Sequence, residues 1–315
     1  MKKVYGLAMT AGLAAGMSMG GVALGQEAKE PAASATTGEV AAAATEQGST
    51  NVEEASESES PFGVSLTLDY TTGYYFRGFV QEDCGLILQP GLTLSYTISE
   101  TEDYSLGVYA GVWNSFHGQE TGEDTESEWK ESWYEIDYFG GLTLGLGEWE
   151  FGASYIVYTS PSDAWEHVEE VNLSAAFDDS EYLGAWTMRP RTLLAFETGS
   201  NFTDGADARP GTYLELGIAP GPDAAFGETT VEIRFPVTVG FSLHEYYEDA
   251  DGNDDTFGYA QFGAKAGIPL DMPSGMGEWT LNVGASLLVL GRNMRDYNEG
   301  DGHEFIGTIG LAVEF

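Results

Sequence analysis

Few residue groups in this 315-residue chain have the types and spacing to do chemistry. Ser242 and His244 share one face of an alternating run, as a nucleophile and its base would need. Two residues apart along a strand, however, they stand ~7 Å from each other, too far for proton transfer. His117, His167 and His303 fall in segments that read as loops without a nucleophile motif beside them, so no catalytic residue is assigned. The run Asp249-Ala250-Asp251-Gly252-Asn253-Asp254-Asp255 offers the several hard oxygens that Ca2+ prefers. It misses the EF-hand template, whose sixth and twelfth positions should be Gly and Glu but are Asp254 and Ala260 here. A solvated acidic loop is the expectation. The single cysteine, Cys84, cannot form an internal disulfide, and no Cys/His spacing suggests zinc. Neither a cofactor nor a metal site is expected.

The remaining charged residues follow a different rule, for they recur inside hydrophobic runs with period two. Val64, Leu66, Leu68 and Tyr70 alternate with Ser65, Thr67 and Asp69. Trp149, Phe151, Ala153, Tyr155 and Val157 alternate with Glu150 and its successors. The clearest run sets Val231, Ile233, Phe235, Val237, Val239, Phe241 and Leu243 against Glu232, Arg234, Thr238 and Ser242. Period two puts each set on one face of a strand. The same parity groups Asp69, Glu135, Asp137, Glu150, Glu215 and Glu232 with Arg191, Arg234 and Lys265 on the polar faces. Arg77 joins that face by parity from Asp69 and is expected to pair with Glu82 or Asp83 across the next turn.

Twelve such runs are legible between Val64 and Phe315, the sixth (Val171–Phe177) and seventh (Trp186–Glu197, interrupted by Pro190) being the least regular. The fold class that follows is all-β, an antiparallel up-and-down transmembrane β-barrel of about 12 strands. Three features separate it from a soluble sandwich. Long polar connections (Asn114–Ser132, Thr159–Val168, Thr198–Pro210, Glu245–Thr256, Arg292–His303) alternate with shorter ones such as Gly147-Glu148, as outer loops alternate with periplasmic turns. Aromatic residues gather at strand ends in two sets, expected as interfacial girdles. Tyr104, Trp149, Trp186, Trp279 and Phe315 would lie at the periplasmic side, and Tyr74, Tyr75, Trp133, Tyr246, Tyr247 and Phe257 at the outer side. The last run ends on Phe315 without a tail, like the C-terminal signal read by the outer-membrane assembly machinery.

Ahead of the barrel, Met1-Lys2-Lys3, an apolar stretch from Val4 to Gly20 and the small residues of Ala23-Leu24-Gly25 read as a signal peptide over residues 1–25. Residues 26–60, rich in Ala, Ser, Thr and Glu, cannot bury a core and are expected as a disordered periplasmic tether. Residues 61–315 form the barrel. Without Lys2 and Lys3, 10 basic residues face 51 acidic ones. That balance excludes nucleic acid as a partner and favours cations.

Several segments resemble one family. Tyr75-Phe76-Arg77-Gly78, Gln89-Pro90-Gly91, Gly107-Val108-Tyr109-Ala110-Gly111-Val112-Trp113 and Glu135-Ile136-Asp137-Tyr138-Phe139-Gly140-Gly141 resemble, in order and spacing, the TorF-type, Gcw_chp-like porins. The resemblance covers roughly residues 64–160. It implies an outer-membrane barrel with a pore and supplies no catalytic residues.

The expected function is therefore a porin-like outer-membrane channel for passive diffusion of small solutes, cations favoured, with no chemical step. Its pore would be lined by Asp69, Arg77, Glu135, Asp137, Glu150, Arg191, Glu215, Glu232, Arg234 and Lys265, and its partners would be lipid and lipopolysaccharide. The alternative is a closed structural or surface-interaction barrel, its interior a lattice of ion pairs and its acidic loops binding divalent ions.

Overall fold

The computed structural model describes residues 60–119, 132–204, 209–227 and 229–315. The signal and all of the tether but Ser60 lie outside the described residues, as do residues 120–131 of the Asn114–Ser132 connection.

Among the described residues the alternating runs fold into sixteen strands: β1 (Phe62–Thr71), β2 (Tyr74–Phe76), β3 (Phe79–Glu82), β4 (Ile87–Glu100), β5 (Tyr104–His117), β6 (Trp133–Leu146), β7 (Trp149–Thr159), β8 (Val168–Phe177), β9 (Arg191–Glu197), β10 (Thr212–Ile218), β11 (Asp223–Phe226), β12 (Thr229–Arg234), β13 (Val237–His244), β14 (Phe257–Leu270), β15 (Glu278–Leu290) and β16 (His303–Glu314). Twelve of them close an antiparallel barrel in the order β1-β4-β5-β6-β7-β8-β9-β10-β13-β14-β15-β16. The seam is β16 against β1, with Leu66 opposite Val313 and Tyr70 opposite Ile309. Phe315 extends that seam, exchanging backbone hydrogen bonds with Val64. Closure leaves no barrel edge unpaired, which a lipid-facing sheet requires.

Two staves are interrupted by proline, which cannot donate to a ladder. Between β10 and β11 stand Pro220 and Pro222, and between β12 and β13 stands Pro236. The displaced β11–β12 hairpin stays attached because β12 pairs with β14 at Glu232–Gly267 and Arg234–Lys265. Arg234 holds the break together. Its guanidinium donates to the carbonyls of Gly221, Pro222 and Ile233 at 3.2, 3.2 and 2.9 Å and to Asp223 at 2.6 Å.

The seventh stave differs from expectation. It begins at Arg191, and the preceding Ser180–Leu183 and Gly184–Trp186 form a helical turn (α1) and a 3-10 turn. Asp179 organises this connection, taking N–H bonds from Met188 (2.9 Å) and Arg189 (3.0 Å). Those donors are lost to the ladder just before Pro190, which has none.

The barrel is inverted relative to a soluble protein. Its outside carries Leu66, Leu94, Leu142, Leu173, Leu216, Phe262 and Ile309, each exposed by at least 41%. Soluble monomers rarely expose apolar patches beyond a few hundred Å², and this band runs round the cylinder. Trp149, Trp186 and Phe315 are exposed at the rim where β1 starts, here the lower rim. At the upper rim the expected girdle is corrected. Tyr74, Tyr75, Tyr246 and Tyr247 are 1%, 6%, 1% and 0% exposed and lie inside the barrel.

They are inside because of the β2–β3 hairpin, a two-stranded sheet separate from the wall. Its turn is Arg77-Gly78, both with positive φ (49° and 96°), the backbone of the tightest two-residue hairpin connection. Glycine takes that geometry freely; arginine adopts it at a cost of ~1–2 kcal/mol. Successive side chains of the hairpin pack on opposite walls. Tyr75 and Phe79 join Tyr213, Tyr246, Tyr247, Tyr259, Leu288 and Met294. Tyr74 and Phe76 join Ile87, Tyr134, Ile156, Tyr158 and Val168. The hairpin thus crosses the lumen.

Candidate functional site in the barrel interior

The hairpin tip delivers Arg77 to the centre of the crossing. β8 brings Glu170 to it because Glu170 has the opposite parity to the outward Val171 and Leu173. The pair is bidentate, Nη1 to Oε1 at 2.7 Å and Nη2 to Oε2 at 2.9 Å, with the two side chains 3% and 0% exposed. Nη1 also donates to the Tyr246 hydroxyl at 2.6 Å, and Tyr158 donates to Glu170 Oε2 at 3.0 Å. The guanidinium lies 4.2 Å from the Tyr213 ring centroid, a cation–π contact. The turn backbone is held as well: Tyr247 donates to the Arg77 carbonyl at 2.9 Å, and Asn298 to that of Gly78 at 3.0 Å. The Glu82 or Asp83 partner expected for Arg77 is therefore replaced by Glu170. A residue with every guanidinium face occupied and both backbone groups of its turn held is a fixed crossbar.

Beside this knot, β6 contributes Glu135 and Asp137, each 4% exposed. Tyr74 donates to Glu135 Oε2 at 2.7 Å. Asp137 Oδ1 is buried without a hydrogen-bond partner among the described residues. Tyr134, whose parity with the exposed Tyr138 would turn it outward, is also inside and donates to Gln81 at 2.5 Å. The reason is a bulge: Ser115 pairs with Glu135 but Phe116 pairs with Trp133, which makes Tyr134 the extra residue.

Other interior residues occupy separate positions. Glu215 on β10 accepts from the Tyr213 and Tyr259 hydroxyls at 3.0 and 3.2 Å. Arg191 reaches Thr238 at 2.9 Å and lies 4.0 Å from Glu215. Asp69, Glu150, Glu232 and Lys265 are partly exposed on the inward face. Arg234, although buried at 6%, serves the strand break described above. The structure thus gathers Arg77, Glu135 and Asp137 around the crossbar, pairs Arg191 with Glu215, and leaves the others distributed along the wall.

Sequence reasoning missed the tyrosines that enclose Arg77. Their signal was parity: Tyr158 and Tyr213 share faces with Ile156 and Glu215, opposite to the outward rows. Large aromatic residues at inward positions mean that something fills the lumen. The acidic run also behaves differently from a cation site. Asp249 Oδ1 accepts from the backbone N–H of Asp251 and Asn253 and from the Asn253 amide, at 2.8 to 3.1 Å. Bonds from Asn253 hold the Asp249 carboxyl below its usual range. Asp254 is engaged by Ser242, Glu245 and Tyr247. Ser242 is thereby committed to Asp254, and His244 stands 65% exposed beyond it, so these two form no nucleophile–base pair.

Part of this interior lies in a region that a family model matches. Residues 55–186 match the model of the Gcw_chp family, described as bacterial proteins of unknown function. The Gcw_chp region contains Arg77, Glu135, Asp137, Glu150 and Glu170, and covers the segments on which the porin resemblance rests. No curated protein matches the sequence. Among solved structures, an outer membrane channel from Pseudomonas putida F1 aligns at 13% identity and a TM-score of 0.45, covering 81% of this chain and 94% of that one. The β domain of the Bordetella autotransporter BrkA aligns at 10% identity and a TM-score of 0.40, over 80% and 98% of the two chains. LpxR from Salmonella typhimurium aligns at 8% identity and a TM-score of 0.41, over 80% and 99%.

Proposed function

We propose that the chain is an outer-membrane channel whose passage is narrowed by the β2–β3 crossbar. The observation that carries this reading is the inverted barrel: an apolar exterior band around an interior of ionisable side chains. An apolar girdle of that extent matches a hydrocarbon layer, with lipid and lipopolysaccharide as surroundings, and an acidic interior draws cations. Asp69, Glu135, Asp137, Glu150, Glu170, Glu215 and Glu232 outweigh Arg77, Arg191, Arg234 and Lys265 along that lining. Small solutes, with cations preferred, would pass by diffusion around or past the crossbar, and no chemical step is assigned. Planar-bilayer recordings in a salt gradient test it. The expected reversal potential is that of a cation-selective pore, and an anion-selective one contradicts the acidic-lining argument.

A second reading draws on the Arg77–Glu170 knot itself: a permanently closed barrel with a structural or surface-interaction role. Its divalent-binding loop loses support from Asp249 and Asp254, whose carboxylates are already satisfied by the chain. Absence of any conductance after the crossbar is removed would favour this reading.

A further inference from the structure

The groups that recognise the Arg77 guanidinium belong, with one exception, to the barrel and not to the hairpin that carries it. Glu170 stands on β8, Tyr158 on β7, Tyr213 on β10 and Tyr246 just beyond β13. Glu170 offers its two oxygens at 2.7 and 2.9 Å, Tyr246 its hydroxyl at 2.6 Å, and the Tyr213 and Tyr246 rings lie 4.2 and 5.4 Å away. Phe76, at 4.9 Å, is the hairpin's own contribution. The barrel side has contacts that do not involve Arg77. Tyr158 donates to Glu170 at 3.0 Å, Tyr213 donates to Glu215 at 3.0 Å, and the Tyr246 N–H donates to Ser242 Oγ at 3.0 Å. Such a cage is pre-formed for any occupant that repeats the shape and charge of the arginine head. The surrounding charge also asks for cations. Glu135, Asp137, Glu197 and Glu215 are exposed by 4%, 4%, 6% and 7%. Asp137 and Glu197 lie within electrostatic reach of Glu170, and Asp137 Oδ1 is buried without a hydrogen-bond partner among the described residues. Arg77 itself is held at a φ of 49°, a conformation that arginine resists. The residues that link its hairpin to the wall, Asp83–Leu86, are exposed at the upper rim.

We propose that the Glu170–tyrosine cage is a binding site for the guanidinium group of a small organic cation, which Arg77 occupies as an internal stand-in until such a solute displaces it. As a statement of which solute the barrel admits, this rests on the channel reading above; as a binding site it does not need conduction. A planar guanidinium matches both oxygens of Glu170 at once and stacks on the tyrosine faces. An alkylammonium is a point charge that cannot reproduce the paired N–H bonds, and a quaternary ammonium has no N–H to donate. Displacement is a competition between a free ligand and a tethered one. The apparent affinity of the solute is reduced by the fraction of molecules whose hairpin is undocked, so Arg77 sets the threshold at which solute opens the crossing.

The test uses the full chain in detergent and N-ethylguanidinium, the part of the arginine side chain that alanine lacks. Calorimetric titration of Arg77→Ala should show one saturable site. Ethylammonium and tetramethylammonium should bind at least about 10-fold more weakly, since each forgoes charge-assisted hydrogen bonds. Arg77→Ala/Glu170→Gln should lose the site. In the wild type, N-ethylguanidinium should speed hydrogen–deuterium exchange of residues 73–84 while the β11–β12 hairpin is unmoved. Half-maximal effect should fall roughly 10²- to 10³-fold above the dissociation constant of the variant, the factor by which Arg77 suppresses undocking. Equal binding of the two ammonium ions, binding indifferent to Glu170→Gln, or wild-type exchange that N-ethylguanidinium does not move overturns the proposal. The wild-type measurement decides the matter even if the variants do not fold. A barrel that binds the ligand and never conducts would refute the channel reading and leave the site standing.

Discussion

Replacing Arg77 with alanine removes the cation from a fully buried ion pair and leaves Glu170, 0% exposed, without it. Breaking a buried pair by deleting one partner typically costs ~3–5 kcal/mol, because the remaining charge stays desolvated. Here the molecule can avoid that cost by undocking the hairpin and letting water reach Glu170. The penalty therefore falls on the docking equilibrium. At about 1.4 kcal/mol per factor of ten, the undocked population should rise roughly 10²- to 10³-fold. Relief of the turn strain at residue 77 is not gained, since alanine has the same difficulty at positive φ, so nothing in the backbone offsets the loss. Hydrogen–deuterium exchange read by mass spectrometry on peptides spanning residues 73–84 measures this directly. Exchange there should accelerate by that factor in Arg77→Ala, while the β11–β12 hairpin, which shares no packed cluster with the crossbar, keeps its protection. The double variant Arg77→Ala/Glu170→Ala should recover much of the loss, as both buried charges are gone. Exchange within threefold of wild type in Arg77→Ala, or a double variant worse than the sum of the singles, refutes the crossbar reasoning.

Gly78→Ala should weaken the same docking by about 1–2 kcal/mol, because φ is 96° at that position and the added methyl meets Met294 and Tyr259 at 3.4 Å; the same exchange experiment checks it. Arg234→Ala leaves the carbonyls of Gly221, Pro222 and Ile233 without their donor, so urea-induced unfolding in lipid should show a loss of roughly 1–3 kcal/mol. At the upper rim, burial next to Glu197 and Glu248 raises Asp204 from 3.8 to about 7. A raised acid binds its proton more tightly when folded, so its contribution is complete below about pH 4 and is lost as pH rises through about 7. Proteolytic nicking of the 198–211 segment should accelerate over that window in wild type, and Asp204→Asn should flatten the profile.

Much of the architecture was legible because a membrane barrel writes its two environments onto alternate residues. Leu66 and Leu68 against Asp69, or Val231 and Ile233 against Glu232, give the outward and inward faces with no knowledge of neighbours. The Pro236 break did not disturb the parity on either side, so one run in the sequence covers two strands in the structure. Parity failed where a residue was added, as at Tyr134, since a bulge depends on the partner strand and leaves no local mark. It also failed at Tyr74, Tyr75, Tyr246 and Tyr247. An aromatic residue at a strand end serves equally as an interfacial anchor or as packing for an inward loop, and only tertiary structure chooses. The Arg77–Glu170 pair joins positions 93 residues apart. Parity sends both inside, but which carboxylate meets the guanidinium depends on how the hairpin crosses the lumen.

The most direct test of the account is single-channel recording from the purified chain and from a variant in which residues 74–82 are replaced by a short Gly-Ser linker. A channel narrowed by its crossbar predicts small or infrequent conductance in the wild type and a larger, cation-selective conductance in the variant. Equal conductance in both, or none in either while the variant barrel remains folded, would contradict it.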